Sequence, residues 1–194
     1  MKSKLLGLKL LAILYFVVLS LSAQSQSFGF FELENRSNIK HENYFNPQIN
    51  IYSNKFNPQA KVGVYYFALA NEHWGQAYGG VIYRPVDWLL VSVGAGMEVN
   101  KNPYRFNVRL HVMKDNFRFL QIYEYGGSGF WYHIEFGYQY LNNQSLGVLS
   151  KRYYGTGPIY EYKVNAISLG MIAAPLYDFE DNNYKLLLAL RYYM

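Results

Sequence analysis

The chain has 194 residues, 51% of them hydrophobic, no cysteine and a formal charge of +5. One domain accounts for that length, and with no cysteine there is neither a disulfide framework nor a thiolate metal site. Three of the positive charges, Lys2, Lys4 and Lys9, sit in an export-like N-terminus, and without them the balance is +5 − 3 = +2, which makes no case for a nucleic-acid partner.

Residues 1–23 read as a signal peptide. Lys2 and Lys4 form a positive head, 5–21 is almost wholly apolar, and Ser20, Ser22, Ala23 and Ser25 offer small residues for cleavage. Export through a cleaved signal is therefore expected. The mature chain has no run of about 18 apolar residues, so a helical span is excluded after cleavage. Its aromatic content is high, at 19%, with 21 Tyr, 13 Phe and 3 Trp. Rings with an apolar body and a polar tip suit a membrane–water boundary.

Residues 24–59 are ambiguous: a lead-in, a plug or a first strand pair over 28–34 and 48–54. Phe45-Asn46-Pro47-Gln48 recurs there as Phe56-Asn57-Pro58-Gln59. From residue 60 onward the period is two, the signature of half-buried strands. Ten strands are predicted: 60–70, 74–84, 88–99, 104–113, 117–125, 130–141, 145–153, 158–164, 166–176 and 184–193. The alternation is cleanest in 104–113, where Tyr104, Phe106, Val108, Leu110 and Val112 oppose Arg105, Asn107, Arg109 and His111. In 130–141, Phe130, Tyr132, Ile134, Phe136, Tyr138 and Tyr140 oppose His133, Glu135, Gly137 and Gln139. Both faces of 117–125 carry apolar residues, and parity slips by one near Asn165, as at a tight turn or a β-bulge.

Runs of about 10 residues, tilted near 45°, rise roughly 23 Å, close to the apolar band of a membrane barrel. Pro85-Val86-Asp87, Lys114-Asp115-Asn116 and Asn142-Asn143-Gln144 are turns on one side. The segments 100–103, 126–129, 155–158 and 177–183 fall on the other. The polar face is sparse, with Ser, Gly, Asn, Gln, His and charges of both signs, whereas a water-soluble barrel would display dense Lys, Glu and Asp. Glycines 94, 96, 137 and 170 on that face leave room for large neighbours in a narrow interior. Slipping 104–113 by one residue would put Arg105 and Arg109 in lipid, at roughly 2–4 kcal/mol each.

The expected fold is thus an all-β, closed, antiparallel up-and-down transmembrane β-barrel of about 10 strands (range 8–12) over 60–194. With its signal peptide, cysteine-free alternating strands and the C-terminal 185–194 run ending Arg191-Tyr192-Tyr193-Met194, the chain resembles small bacterial outer-membrane barrels of the porin-like and OmpA/OmpX-like type. The resemblance implies an outer-membrane location among lipopolysaccharide and phospholipid. It also implies insertion by the barrel-assembly machinery, which reads the terminal strand.

Gln76, Arg84, Glu98, Arg105, Asn107, Arg109, His111, His133, Glu135, Gln139 and Arg191 are the expected interior polar network. In a barrel of this size they would fill the lumen, giving a structural or interaction role or at most a narrow pore. The alternatives are a secreted soluble ligand-binding barrel and an outer-membrane lipid hydrolase. For the hydrolase, Ser128, His133 and Glu135 are the available groups, but no Gly-x-Ser-x-Gly element is present. Neither an enzyme nor a cofactor is expected. The four histidines, 41, 73, 111 and 133, lack metal-ligand spacing.

Overall fold

The computed structural model describes residues 27–38, 47–57 and 61–194. Among them twelve strands run in chain order: β1 (Ser27–Asn38), β2 (Pro47–Asn57), β3 (Val62–Ala70), β4 (Gly75–Val86), β5 (Leu89–Glu98), β6 (Tyr104–Lys114), β7 (Phe117–Gly126), β8 (Gly129–Leu141), β9 (Gln144–Lys151), β10 (Gly155–Val164), β11 (Leu169–Asp178) and β12 (Asn183–Tyr193). Each pairs antiparallel with its sequence neighbour, and β1 pairs with β12 to close the barrel. The closing seam runs from Phe30 opposite Tyr193 to Asn38 opposite Lys185, extended by mutual backbone bonds between Gly29 and Met194.

Twelve strands replace the ten expected, because the segment before residue 60 supplies β1 and β2. The first described strand residue is Ser27, and the expected signal peptide lies outside the described residues. Pro47-Gln48 opens β2 while Phe56-Asn57 closes it, so the two copies of the short repeat do not play the same part. The parity slip at Asn165 is a single 3-10 turn, Asn165–Ile167, between β10 and β11 rather than a bulge. A register shift does occur between Tyr83 and Val86, where Pro85 cannot donate to the ladder. Gly155 to Pro158 lie within β10, not in a loop; the turn there is 152–154.

The two faces separate by parity. Outward on β5 and β6 stand Val93, Met97, Tyr104, Phe106 and Val108, each at least half exposed. Inward on the same strands are Glu98, Arg105 and Asn107, all buried. Among the described strands, the outward positions carry charge only at Lys55 and Lys114, both near the end that holds the termini. Among the described residues no helix is long and apolar enough to cross a membrane. The strands instead close on themselves with every ladder paired, and outside β1 and β2 their outward positions are mostly apolar.

Inward glycines set the shape of the wall. Tyr65 is fully buried, lies across Gly80 and Gly94, and donates from its hydroxyl to Asn107 at 2.5 Å. A Cβ on Gly94 would stand 2.2 Å from that hydroxyl. One on Gly137 would meet only the Arg118 side chain, at 3.6 Å. Gly94→Ala is therefore expected to destabilise the barrel by about 1–3 kcal/mol through overpacking. Gly137→Ala should leave it unchanged. Denaturant midpoints followed by heat-modifiable gel mobility check the difference, and equal midpoints would refute the packing account.

Candidate functional site

Parity sends nearly every charged strand residue into the lumen, where burial is tolerable only with partners. Nearest the end opposite the termini, Arg105 bridges two acids, contacting Glu98 and holding Glu124 at 2.7 Å. Tyr78 donates to Glu124 at 2.8 Å. The β7–β8 turn folds over this group: Ser128 gives its backbone N–H to Glu98 at 2.5 Å and its hydroxyl at 2.8 Å.

A second group joins four strands. Arg118 on β7 reaches Glu135 on β8 at 2.6 Å and Glu161 on β10 at 3.2 Å. His133 lies 3.3 Å from Glu135, and the Tyr193 hydroxyl contacts Glu161. Across the seam, Arg191 holds Glu32 at 2.6 Å, and Asn50 donates to the same carboxylate at 2.9 Å. Further along β1, Glu34 accepts from Lys151 at 2.9 Å, and that ammonium sits 3.7 Å from the Tyr154 ring centroid. Lys185 contacts Asp178 and bonds Asp181 at 2.6 Å.

Four lumenal cations have no carboxylate within ion-pair reach among the described residues: Arg84, Arg109, Lys163 and Arg36, the last donating to the Tyr153 carbonyl at 2.8 Å and lying 4.8 Å from the Tyr154 ring centroid. Arg109 lies over the rings of Tyr52 and Tyr65, at 4.7 and 5.4 Å. Arg84 lies over Phe56 at 4.3 Å, and Lys163 over Tyr193 at 4.9 Å. Cation–π contact of this kind is worth about 0.5–2 kcal/mol, less than an anion partner supplies at a buried site.

The lumen is not filled. A continuous cavity of about 1000 Å³ runs through it, bordered by Arg36, Trp74 and Tyr153 toward one end and by Lys163, Ser168 and Tyr193 toward the other. Two added strands account for the space, since barrel diameter grows with strand number. The lining is also less polar than the sequence suggests. Leu149, Ile159, Ile172, Leu187 and Ala189 all face the cavity.

Of the eleven residues assigned to the interior from sequence, ten point into the barrel from β4, β5, β6, β8 and β12. Gln139 stands exposed at the terminal rim and donates to the Asn142 carbonyl at 3.1 Å. The ten do not form one network: Gln76, Glu98 and Arg105 share the first group, His133 and Glu135 the second, and Arg191 the third. Asn107 accepts from the Tyr65 hydroxyl, and Arg84, Arg109 and His111 stand apart from all three groups. Sequence reasoning missed Glu32, Glu34 and Asn50, which lie before the first predicted strand. It also missed Arg118 and Glu124, masked by Leu120 and Ile122 on the same face. Glu161 was legible from its alternation with Tyr160 and Tyr162.

The hydrolase constellation is not assembled. Ser128 bonds Glu98 and Arg105, while His133 pairs with Glu135, so among the described residues no histidine base stands at the hydroxyl. Among the described residues no group of His, Asp and Glu could hold a metal ion.

Arg105→Gln should cost about 3–5 kcal/mol, because it leaves Glu98 and Glu124 buried without their shared cation. Exposed Glu72→Gln should leave the unfolding midpoint where it was. The same denaturant titration reads both, and a wild-type midpoint for the arginine variant would contradict the assigned pairing.

No family model and no curated protein matches the chain. Solved structures do. The KdgM porin superposes with a TM-score of 0.55 at 11% identity, over 85% of this chain and 98% of that one. The NanC porin gives 0.52 at 12% identity, over 84% and 97%. A chain from work on in-meso crystallization of membrane proteins gives 0.58 at 10% identity, over 86% and 83%. At such identities the likeness is one of fold: this chain is a closed β-barrel similar in architecture to bacterial porins.

Proposed function

We propose that the chain is an integral outer-membrane barrel whose lumen is a narrow passage for small solutes. The supporting observation is the cavity itself, which takes lining residues from both ends of the barrel. An export-like N-terminus and an outward face almost free of charge support the membrane setting.

Size limits what can pass. Spread over an apolar band ~25 Å tall, about 1000 Å³ averages ~40 Å² of cross-section. That admits small molecules a few water widths across and excludes anything larger. The ionic groups narrow it further by fixing long side chains across the lumen.

Purified protein in planar bilayers should show small, resolvable conductance steps, well below those of a wide porin recorded in the same membrane. Silence from protein shown to be inserted would remove the passage and leave a purely structural or interaction role. Steps as large as those of the wide porin would contradict the narrow lumen. Outer-membrane fractionation checks the location, and recovery from the soluble periplasm would overturn the membrane reading.

A further inference from the structure

The cavity has two unlike walls. On β9 to β12 the inward residues Leu149, Ile159, Ile172, Leu187 and Ala189 belong to one buried apolar cluster and also border the cavity. A passage for water and hydrated ions gains nothing from such a wall.

On β4 to β6 stand Arg84, Arg109 and His111. In the ladder Arg109 sits beside Ser92 and Ile122, and His111 beside Leu90 and Leu120, so these groups emerge from an apolar surround. The Nε atoms of Arg84 and Arg109 and Nε2 of His111 are buried, with no hydrogen-bond partner among the described residues. A buried donor left without a partner is unfavourable. Meanwhile the lumenal acids Glu32, Glu34, Glu98, Glu124, Glu135 and Glu161 each hold a cation already. The charge left without a counterpart in the lumen is positive.

We propose that the lumen contains a binding site for a small amphipathic anion. Its carboxylate or sulfonate head lies on Arg109 and Arg84, and its apolar body lies against the β9–β12 wall. A largely apolar cavity with a few convergent polar groups is the usual form of a small-molecule site, and about 1000 Å³ stands at the upper end of the ~300–1,000 Å³ such sites occupy. The head supplies the acceptors that the two guanidinium groups lack. The body covers the aliphatic wall. Neither a purely polar solute nor a neutral apolar one satisfies both. The site depends on the barrel being closed and does not depend on conduction.

Titration calorimetry on full-length protein in nanodiscs tests it, with empty discs subtracted. The probes are naphthalene-2-sulfonate, naphthalene-2-methanol as the neutral body, and methanesulfonate as the head alone. Naphthalene-2-sulfonate should bind saturably at one site, at least tenfold more tightly than either control. Arg109→Gln should weaken it about tenfold, and so should Ile172→Asn on the facing wall. Arg109 has no ion pair, so its removal strands no buried acid; Arg84→Gln is the parallel variant should the first lose heat-modifiable mobility. Absence of saturable heat above empty discs, equal affinity for the neutral probe, or unchanged binding in both wall variants would overturn the site. Binding without conductance would remove the passage and keep the site, and conductance without binding the reverse.

Discussion

The pairing of β1 with β12 is the contact on which the rest of this molecule depends. A strand edge inside an apolar band leaves a row of N–H and C=O groups without water or partner, and each costs several kcal/mol. Closure removes both edges at once, from Phe30 opposite Tyr193 to Asn38 opposite Lys185. Once the sheet is closed, every side chain has only two places to go. Parity then decides which residues face outward and which meet one another.

The interior follows from that division. Charges that cannot face outward crowd inward, and most are satisfied in pairs and triads that cross strands. Arg105 between Glu98 and Glu124 is the most buried of these, and the β7–β8 turn is tied to it through Ser128. Arg118 links β7 to β10, which share no ladder, and Arg191 adds a side-chain pair across the β1–β12 seam. What distinguishes the lumen is the remainder: cations seated on aromatic rings instead of acids, facing an aliphatic wall. The proposed passage and the proposed amphipathic-anion site both rest on the space that twelve strands leave and barrels of fewer strands do not.

Much of the architecture was legible before any coordinates. Strands β3 to β9 and β11 to β12 lie close to the runs of period-two alternation, and the inward glycines 94, 96, 137 and 170 have large neighbours, among them Tyr65, Tyr78, Arg118 and Glu161. Two strands were obscured for a physical reason. The outward faces of β1 and β2 include Asn35, Ser37, Ser53, Lys55 and Asn57, while Tyr52 and Phe56 point inward, so polar and apolar positions no longer alternate cleanly. In β7 the strand was legible but its inner face was not, since Leu120 and Ile122 share that face with Arg118 and Glu124.

By itself the sequence determined the period, the strand lengths and which residues share a face, because alternation is a property of neighbours along the chain. It could not determine which inward groups meet. Glu34 and Lys151 are 117 residues apart, and Glu32 and Arg191 are 159 apart. Their encounter depends on the number of strands and the stagger with which the sheet closes. The same closure leaves Arg84 and Arg109 without acids and sets them across a lumen from Ile172 and Leu187. That arrangement belongs to the tertiary structure alone.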